Sequence, residues 1–291
     1  MIRFFTLLFL IMLGCSGIIY SQTSGAFKAG LNASRFVGPA QVDDNGKEVD
    51  SYSFATGFHI AGGVNVKFTD LVGVRIELMY SQKGTDYMYD GQSYFTFNRV
   101  DDDPTYSTGT RKTVLTITNS YLDLPILAYY RLGRLEFSGG INIGFLTGAR
   151  GSGELTYFGE TELGNPIDPF TIALDFNYFN DNFQLNDPTE TQTVIVDGEP
   201  VEIPKTIGPF YETREVDERL FNRFDFGLNA AIAFYLNDGL YLGFRVNYGL
   251  VDITNNKVDV STVKLDENKD FIRREETDRN LSLQTSLGFS F

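Results

Sequence analysis

The chain has 291 residues, with 24 Lys+Arg against 38 Asp+Glu and a formal charge of −14 at pH 7. The length allows one large domain or two, and the acidity excludes a nucleic-acid partner, which needs a basic face. A single cysteine, Cys15, excludes an intramolecular disulfide. Hydrophobic residues make up 42%, with 26 Phe, 16 Tyr, 29 Gly and no Trp. That profile suits many short strands better than helices. The excess acid has two readings: solubility through self-repulsion, or divalent cations bridging acidic loops to anionic lipid.

In chain order, the first element is an apolar leader. Arg3 precedes an apolar run from Phe4 to Ile19, and the small residue Ser21 follows. This layout predicts a secretory signal peptide at 1–21, cut before Gln22. The alternative is that Met12-Leu13-Gly14-Cys15 is a lipidation box, with Met unusual at its first position. No other stretch approaches the roughly 18 continuous apolar residues of a membrane helix, so none is expected in 22–291.

Eight segments of period two follow. The first, 26–34, places Phe27, Ala29, Leu31 and Ala33 on one face. The second, 58–68, sets Phe58, Ile60, Val64 and Val66 against His59, Asn65 and Lys67. The third, 72–83, sets Val74, Ile76, Leu78 and Tyr80 against Arg75 and Glu77. In 120–131, Leu122, Leu124, Ile126 and Tyr130 oppose Asp123 and Arg131, and in 135–146 the apolar set is Phe137, Ile141, Ile143 and Phe145. In 223–236, Phe224, Phe226, Leu228 and Ile232 oppose Asp225 and Asn229. In 240–252, Leu242, Phe244, Val246 and Tyr248 oppose Arg245 and Asn247. The last, 280–291, alternates from Leu281 and Leu283 to Phe289 and Phe291.

These segments are longer than the roughly 5–6 residues of a soluble strand and fit the roughly 9–11 of a tilted membrane crossing. Their connections alternate. Short ones at 69–71, 132–134 and 237–239 separate long ones at 35–57, 84–119, 147–222 and 253–280. This predicts an all-β fold: an eight-stranded antiparallel up-and-down transmembrane β-barrel at 22–291, with tight periplasmic turns and long extracellular loops. An even strand number puts both termini in the periplasm of a cell with an outer membrane. Within 147–222, the alternating stretch 169–179 leaves ten strands as an alternative. The stretch 193–203, with Asp197-Gly198 between apolar residues, predicts a hairpin in a cap over the barrel. Pro125 lacks a ladder donor, so a bulge or a nearby turn is expected there.

The stretches FKAGLNAS, VGVRIELMYSQKGT, YLDLPILAYYRL, FSGGINIGFL and FRVNYGLVDI resemble the PorT-like outer-membrane β-barrel family. The resemblance spans all eight segments but not the loops, and its motifs mark the barrel rather than a reaction. It implies that Phe291, the terminal aromatic, is the signal read by the outer-membrane insertion machinery. One branch of the family assists a secretion system, which implies a partner machine.

An eight-stranded barrel is just wide enough for side chains to fill it. Lys67, Arg75, Glu77, Asp123, Asp225 and Arg245 are therefore expected to form a paired charge network closing the lumen. His59, the one histidine, is expected to face that lumen. Without a Gly-x-Ser-x-Gly elbow, a His/Cys cluster or a phosphate loop, neither enzyme chemistry nor a cofactor or metal is expected. Acidic runs at 43–50 and 100–104 read as solvated loops, the first lacking the spacing of a calcium loop. The long loops, rich in Tyr, Phe, Asn and Asp, suit binding of an extracellular protein or glycan, or simply pack on one another and at the lipid headgroups. The expected function is that of a non-enzymatic outer-membrane protein. An accessory subunit of a secretion or assembly machine and a small-solute channel stand as alternatives.

Overall fold

The computed structural model describes residues 22–97, 104–179, 190–213 and 219–291. The expected leader at 1–21, including Cys15, and most of the acidic run at 100–104 lie outside the described residues. The first strands are β1 (Gln22–Val37), a short β2 (Asp50–Ser53), β3 (Ala55–Lys67) and the long β4 (Val72–Phe97), β5 (Thr105–Leu132) and β6 (Leu135–Thr161). Next come β7 (Pro166–Phe176), β8 (Thr191–Val196), β9 (Glu199–Pro204) and the two-residue β10 (Thr206–Ile207). The order ends with β11 (Phe224–Tyr235), β12 (Leu240–Gly249), β13 (Val260–Leu265), β14 (Phe271–Arg273) and β15 (Arg279–Ser290). Among the described residues, no helix is long and apolar enough to cross a membrane.

Antiparallel pairing runs β1–β3–β4–β5–β6–β11–β12–β15 and returns from β15 to β1, a ring through eight strands. The closing register runs from Ala26↔Ser290 to Val37↔Arg279. Three tight connections, at 68–71, 133–134 and 236–239, share one end of the ring with the start of β1 and the end of β15. All longer excursions leave the other end.

The outer surface is sorted by depth. Ile60, Val64, Ile76, Leu78, Leu228, Leu242 and Leu287 form an exposed aliphatic band. At the turn end it is bordered by exposed Phe27, Phe68, Tyr130, Phe137, Phe234 and Phe289, and at the other end by Phe58, Phe145, Phe224 and Tyr248. Two aromatic girdles around an apolar band mark a wall facing hydrocarbon. With no tryptophan in the chain, phenylalanine supplies most of both girdles.

Beyond the upper girdle, the hydrophobic face of the wall inverts. On β5, Leu122 points outward and is 41% exposed, whereas Leu115 and Ile117 of the same strand point inward at 4% and 6%. On β4, outward Ile76 and Leu78 give way to fully buried Tyr89, Phe95 and Phe97. On β6 the switch is helped by a bulge. Tyr121 pairs with Leu146 and Ser120 with Gly148, so Thr147 is the extra residue. Past this line the outward positions are mostly polar, as at Lys112, Thr116, Ser152 and Glu154. The strands thus leave a solvent that accepts apolar side chains and enter one that accepts polar ones.

Several expectations are corrected here. The stretch 84–119 is not a loop: the β4–β5 ladder continues to Phe97↔Thr105. The stretch 147–222 is likewise not all loop, because β6 extends to Thr161 and β7 folds back along its outer half, from Gly151↔Phe176 to Glu160↔Pro166. The alternating stretch 169–179 is therefore a strand of the cap and not a ninth member of the ring. β8 and β9 form the expected hairpin, with Asp197 at φ 55° and Gly198 at φ 83°. Two successive positive φ angles match the right-handed strand twist, and glycine adopts them freely. Pro125 sits at neither a bulge nor a turn. It pairs in register with Asn142 of β6. On its β4 side the pairing runs to Ile76↔Ile126 and resumes, unshifted, at Met79↔Asp123. The missing N–H interrupts one ladder locally and leaves the register intact.

The inverted walls enclose a cap core. Phe95, Phe97, Tyr157 and Phe170 pack ring on ring, with centroids 4.9–5.9 Å apart. Val194, Val196, Val201 and Ile203 of the β8–β9 hairpin close over Ile172 and Leu174 of β7. The aromatics of 84–119 thus pack a core.

Inside the ring, Gly30 lets β1 pass close to its neighbours. A Cβ there would lie 1.8 Å from the carbonyl oxygen of Thr285 and 2.7 Å from the His59 ring. Gly30→Val is expected to lower folding stability by about 1–3 kcal/mol, the usual cost of overpacking. A fall in the temperature at which the fast-migrating folded band is lost on unboiled gels would show it, and an unchanged band would contradict the packing described.

Candidate functional site

The ring interior is polar because strand alternation turns the residues between the lipid-facing ones inward. Its charges lie in successive layers. Nearest the cap, Lys83 lies 3.2 Å from Asp123 and 3.2 Å from Asp225. Asn142 donates to Asp123 at 2.9 Å, Asn280 donates to Asp225 at 3.0 Å, and the Tyr121 ring lies 4.6 Å from the ammonium. In the next layer His59 Nδ1 and Asn32 Oδ1 are 2.7 Å apart, and Asn32 donates to Ser81 at 3.1 Å. Below it, Glu77 receives Lys28 at 2.8 Å and Arg245 at 2.8 and 2.9 Å. Nearest the turns, Arg75 pairs with Glu136 at 2.9 Å and donates to Asn65 at 2.6 Å, while Tyr235 donates to Glu136 at 3.0 Å.

Four cations thus face four anions, all almost fully buried. Charges removed from water are tolerated only when so paired. Of the six charges expected in this network, Arg75, Glu77, Asp123, Asp225 and Arg245 enter it. Lys67 does not. It is half-buried in a cavity of about 450 Å³ at the turn end, beside Asp70, Arg131 and Asp238, with no ion-pair partner among the described residues. The network's other members, Lys28, Lys83 and Glu136, were missed by the sequence reading. The signal was present: each lies on the polar side of its alternation, Lys28 between Phe27 and Ala29, Glu136 between Leu135 and Phe137, and Lys83 in phase with Arg75 and Glu77. Phe291 stacks on Phe289 at 6.3 Å and pairs its backbone with Gly25 at the seam.

A second candidate site lies in the cap. A cavity of about 210 Å³ is walled by aromatic rings, among them Tyr52, Tyr87, Tyr94 and Tyr178, and by Arg111, Glu212, Asp259, Arg274 and Asp278. Both arginines are engaged. Arg111 donates to the Glu212 carboxylate at 2.9 and 2.6 Å and to the Tyr94 carbonyl at 2.7 Å. Arg274 pairs with Glu276 and lies 3.9 Å from Asp50. The acids are less well provided for. Asp278 is 1% exposed and its Oδ1 has no hydrogen-bond partner. Asp259 makes no side-chain hydrogen bond or ion pair among the described residues. One oxygen each of Asp259, Glu276 and Asp278 lies within 4.8 Å of the others. The acidic run 43–50 is used locally. Asp43 accepts the amides of Asn45 and Lys47, and Asp44 pairs with Lys264.

Burial pushes the Asp259 carboxyl up to about 6; Arg274 draws it down, while Asp278, Asp252 and Asp50 push it further up. The Asp278 carboxyl is raised for the same first reason. An acid whose pKa is higher folded than unfolded is a liability where it must ionise. Its cost is absent below the unfolded value, near 4, and is complete above about 6. The cap is therefore expected to lose stability as pH rises from about 4 to about 6. Asp259→Asn should restore part of it at pH 7.5 and change little at pH 4. Hydrogen exchange of the β13–β14 amides, corrected for intrinsic rates, would show this, and equal protection of variant and parent at pH 7.5 would contradict it.

The family model described as outer membrane protein beta-barrel domain matches residues 21–255. No curated protein matches. Among solved structures, the chain is similar to Ail, the attachment invasion locus protein of Yersinia pestis, at 11% identity and a TM-score of 0.33, covering 93% of this chain and 99% of that one. It is similar to OprG of Pseudomonas aeruginosa at 9% identity and a TM-score of 0.32, covering 93% and 97%. It is also similar to the Escherichia coli outer membrane protease OmpT at 9% identity and 0.32, covering 94% and 99%. These scores carry no argument about activity. The family match, spanning most of the chain, does carry identity: this protein belongs to the outer membrane protein beta-barrel domain family and is an outer-membrane β-barrel protein.

Proposed function

We propose that the protein is a non-enzymatic, eight-stranded barrel with a plugged lumen, whose cap stands outside the cell as a binding structure while both termini lie in the periplasm. The observation that carries this reading is the balanced charge network. Arg75–Glu136, Lys28–Glu77–Arg245 and Asp123–Lys83–Asp225 cross the lumen at successive depths. A solute path would have to break buried ion pairs in succession, and breaking one such pair costs about 3–5 kcal/mol. His59 supports the non-enzymatic part. It faces Asn32 rather than an orienting carboxylate, and Ser81 is bonded to Asn32. The cap supports the binding part, because it is a packed, strand-built platform with a cavity of its own.

The resemblance to the PorT-like family, one branch of which assists a secretion system, supports a second reading, an accessory subunit of a secretion machine. The observation favouring it is the polar cavity at the turn end, where Lys67, Arg131 and Asp70 are open to a periplasmic partner. Deletion that blocks export of other proteins would select this reading.

Purified protein in planar bilayers is expected to give no large steady conductance, and a steady open pore would overturn the plugged barrel. On whole cells, added protease is expected to cut only within the loop-end excursions, chiefly 147–222. Cleavage at 68–71, 133–134 or 236–239 would reverse the orientation.

A further inference from the structure

We infer that the cap cavity is a binding site for a small organic cation, held by the Asp259 and Asp278 carboxylates against tyrosine rings. This rests on the reading of the cap as a binding structure and names what it binds.

Size and wall come first. The cavity, about 210 Å³, holds a compact group rather than a chain. Its wall is built from Tyr52, Tyr87, Tyr94, Tyr178 and Phe36, contributed by β1, β2 and β4, which lie on one side of the ring, and by the segment after β7. Tyr52 and Tyr87 pack at 5.4 Å, so these rings are held in place by one another. Aromatic faces are electron-rich and attract a desolvated cation.

Charge selects the sign of the ligand. The cavity's two arginines already have carboxylate partners, Glu212 for Arg111 and Glu276 and Asp50 for Arg274. The lining acids Asp259 and Asp278 form no salt bridge of their own among the described residues; Arg274 attracts both but is shared with Glu276 and Asp50, so one guanidinium serves four carboxylates. An anionic ligand would add to this excess of negative charge. A cation would neutralise it and lose its hydration to aromatic surface at the same time. Elsewhere the chain pairs its buried acids closely, as the lumen network shows. Here Asp259 and Asp278, both lining an aromatic cavity, share a single arginine with two further acids, and an incoming cation would complete that arrangement.

A metal ion fits less well. Arg274 already pairs with Glu276, one of the three clustered acids. The wall is largely aromatic, whereas hard cations take oxygen ligands.

The test uses the full folded chain in detergent micelles and three soluble probes of one shape. These are choline, its neutral isostere 3,3-dimethylbutan-1-ol, and the anion 3,3-dimethylbutanoate. The chain has 16 Tyr and no Trp, and six of those tyrosines line the cavity, so a saturable change in tyrosine emission is read without a tryptophan background. Choline is expected to bind saturably, at least about tenfold more tightly than the alcohol, with no binding of the anion. Asp259→Asn should weaken choline about tenfold while leaving the folded gel band in place. Equal binding of choline and the alcohol would overturn the assignment, as would no saturable choline binding to the folded chain. The probe series needs no variant, so a misfolded Asp259→Asn cannot hide the answer. Failure of the plugged-barrel reading would appear separately, as steady conductance of the unaltered protein.

Discussion

Everything in this molecule depends on closing the hydrogen-bonded ring. In hydrocarbon no water is available to satisfy an open strand edge, so β15 must return to β1. The seam from Ala26↔Ser290 to Val37↔Arg279 does this. Closure then dictates the interior. Lipid claims the apolar half of each alternation, and the other half must face a channel only about as wide as the side chains that fill it. Charges confined there cannot be hydrated, so each must meet its opposite. The even match of lysine and arginine with aspartate and glutamate in the lumen is a consequence of the ring.

Most of the wall was legible in the sequence. The eight segments stood out because lipid demands apolar residues at every second position, and each is found as a strand of the ring. Their upper limits were not legible. At Leu122 the apolar residues face out and at Ile117 they face in, with no break in β5 between them. A change of phase in the hydrophobic pattern reads as the end of a strand, although here it marks only a change of solvent. The same inversion hid the upper halves of β4 and β6. The polar interior was partly legible. Arg75 and Glu77 stand in an unmistakable alternation, whereas Lys28, Glu136 and Lys83 needed the parity of their neighbours to be counted. The cap cavity was not legible at all. Tyr52, Tyr87, Asp259 and Asp278 are far apart in the chain, and only the folding of the excursions over the ring brings them together.

The two halves of the molecule also handle charge differently. The lumen is neutral within itself, so the net acidity of the chain lies elsewhere. In the cap, Asp259 and Asp278 are held where burial opposes their ionisation. Groups whose ionisation is so perturbed cluster at functional sites. The burial that weakens the cap near neutral pH is the same burial that would strengthen its attraction for a cation.

The continuity of β4, β5 and β6 through the inversion has a mechanical consequence. Cap and wall share one ladder in a single register, broken only beside Pro125, from Val72↔Tyr130 near the turns to Phe97↔Thr105 at the far tip. No hinge separates them. A load applied to the tip along the strands would be borne in shear by the inter-strand bonds of that hairpin, many acting together, rather than opened one at a time. Tension on a tethered cap would pass into the wall itself, and the protein would resist it as a post set in the membrane.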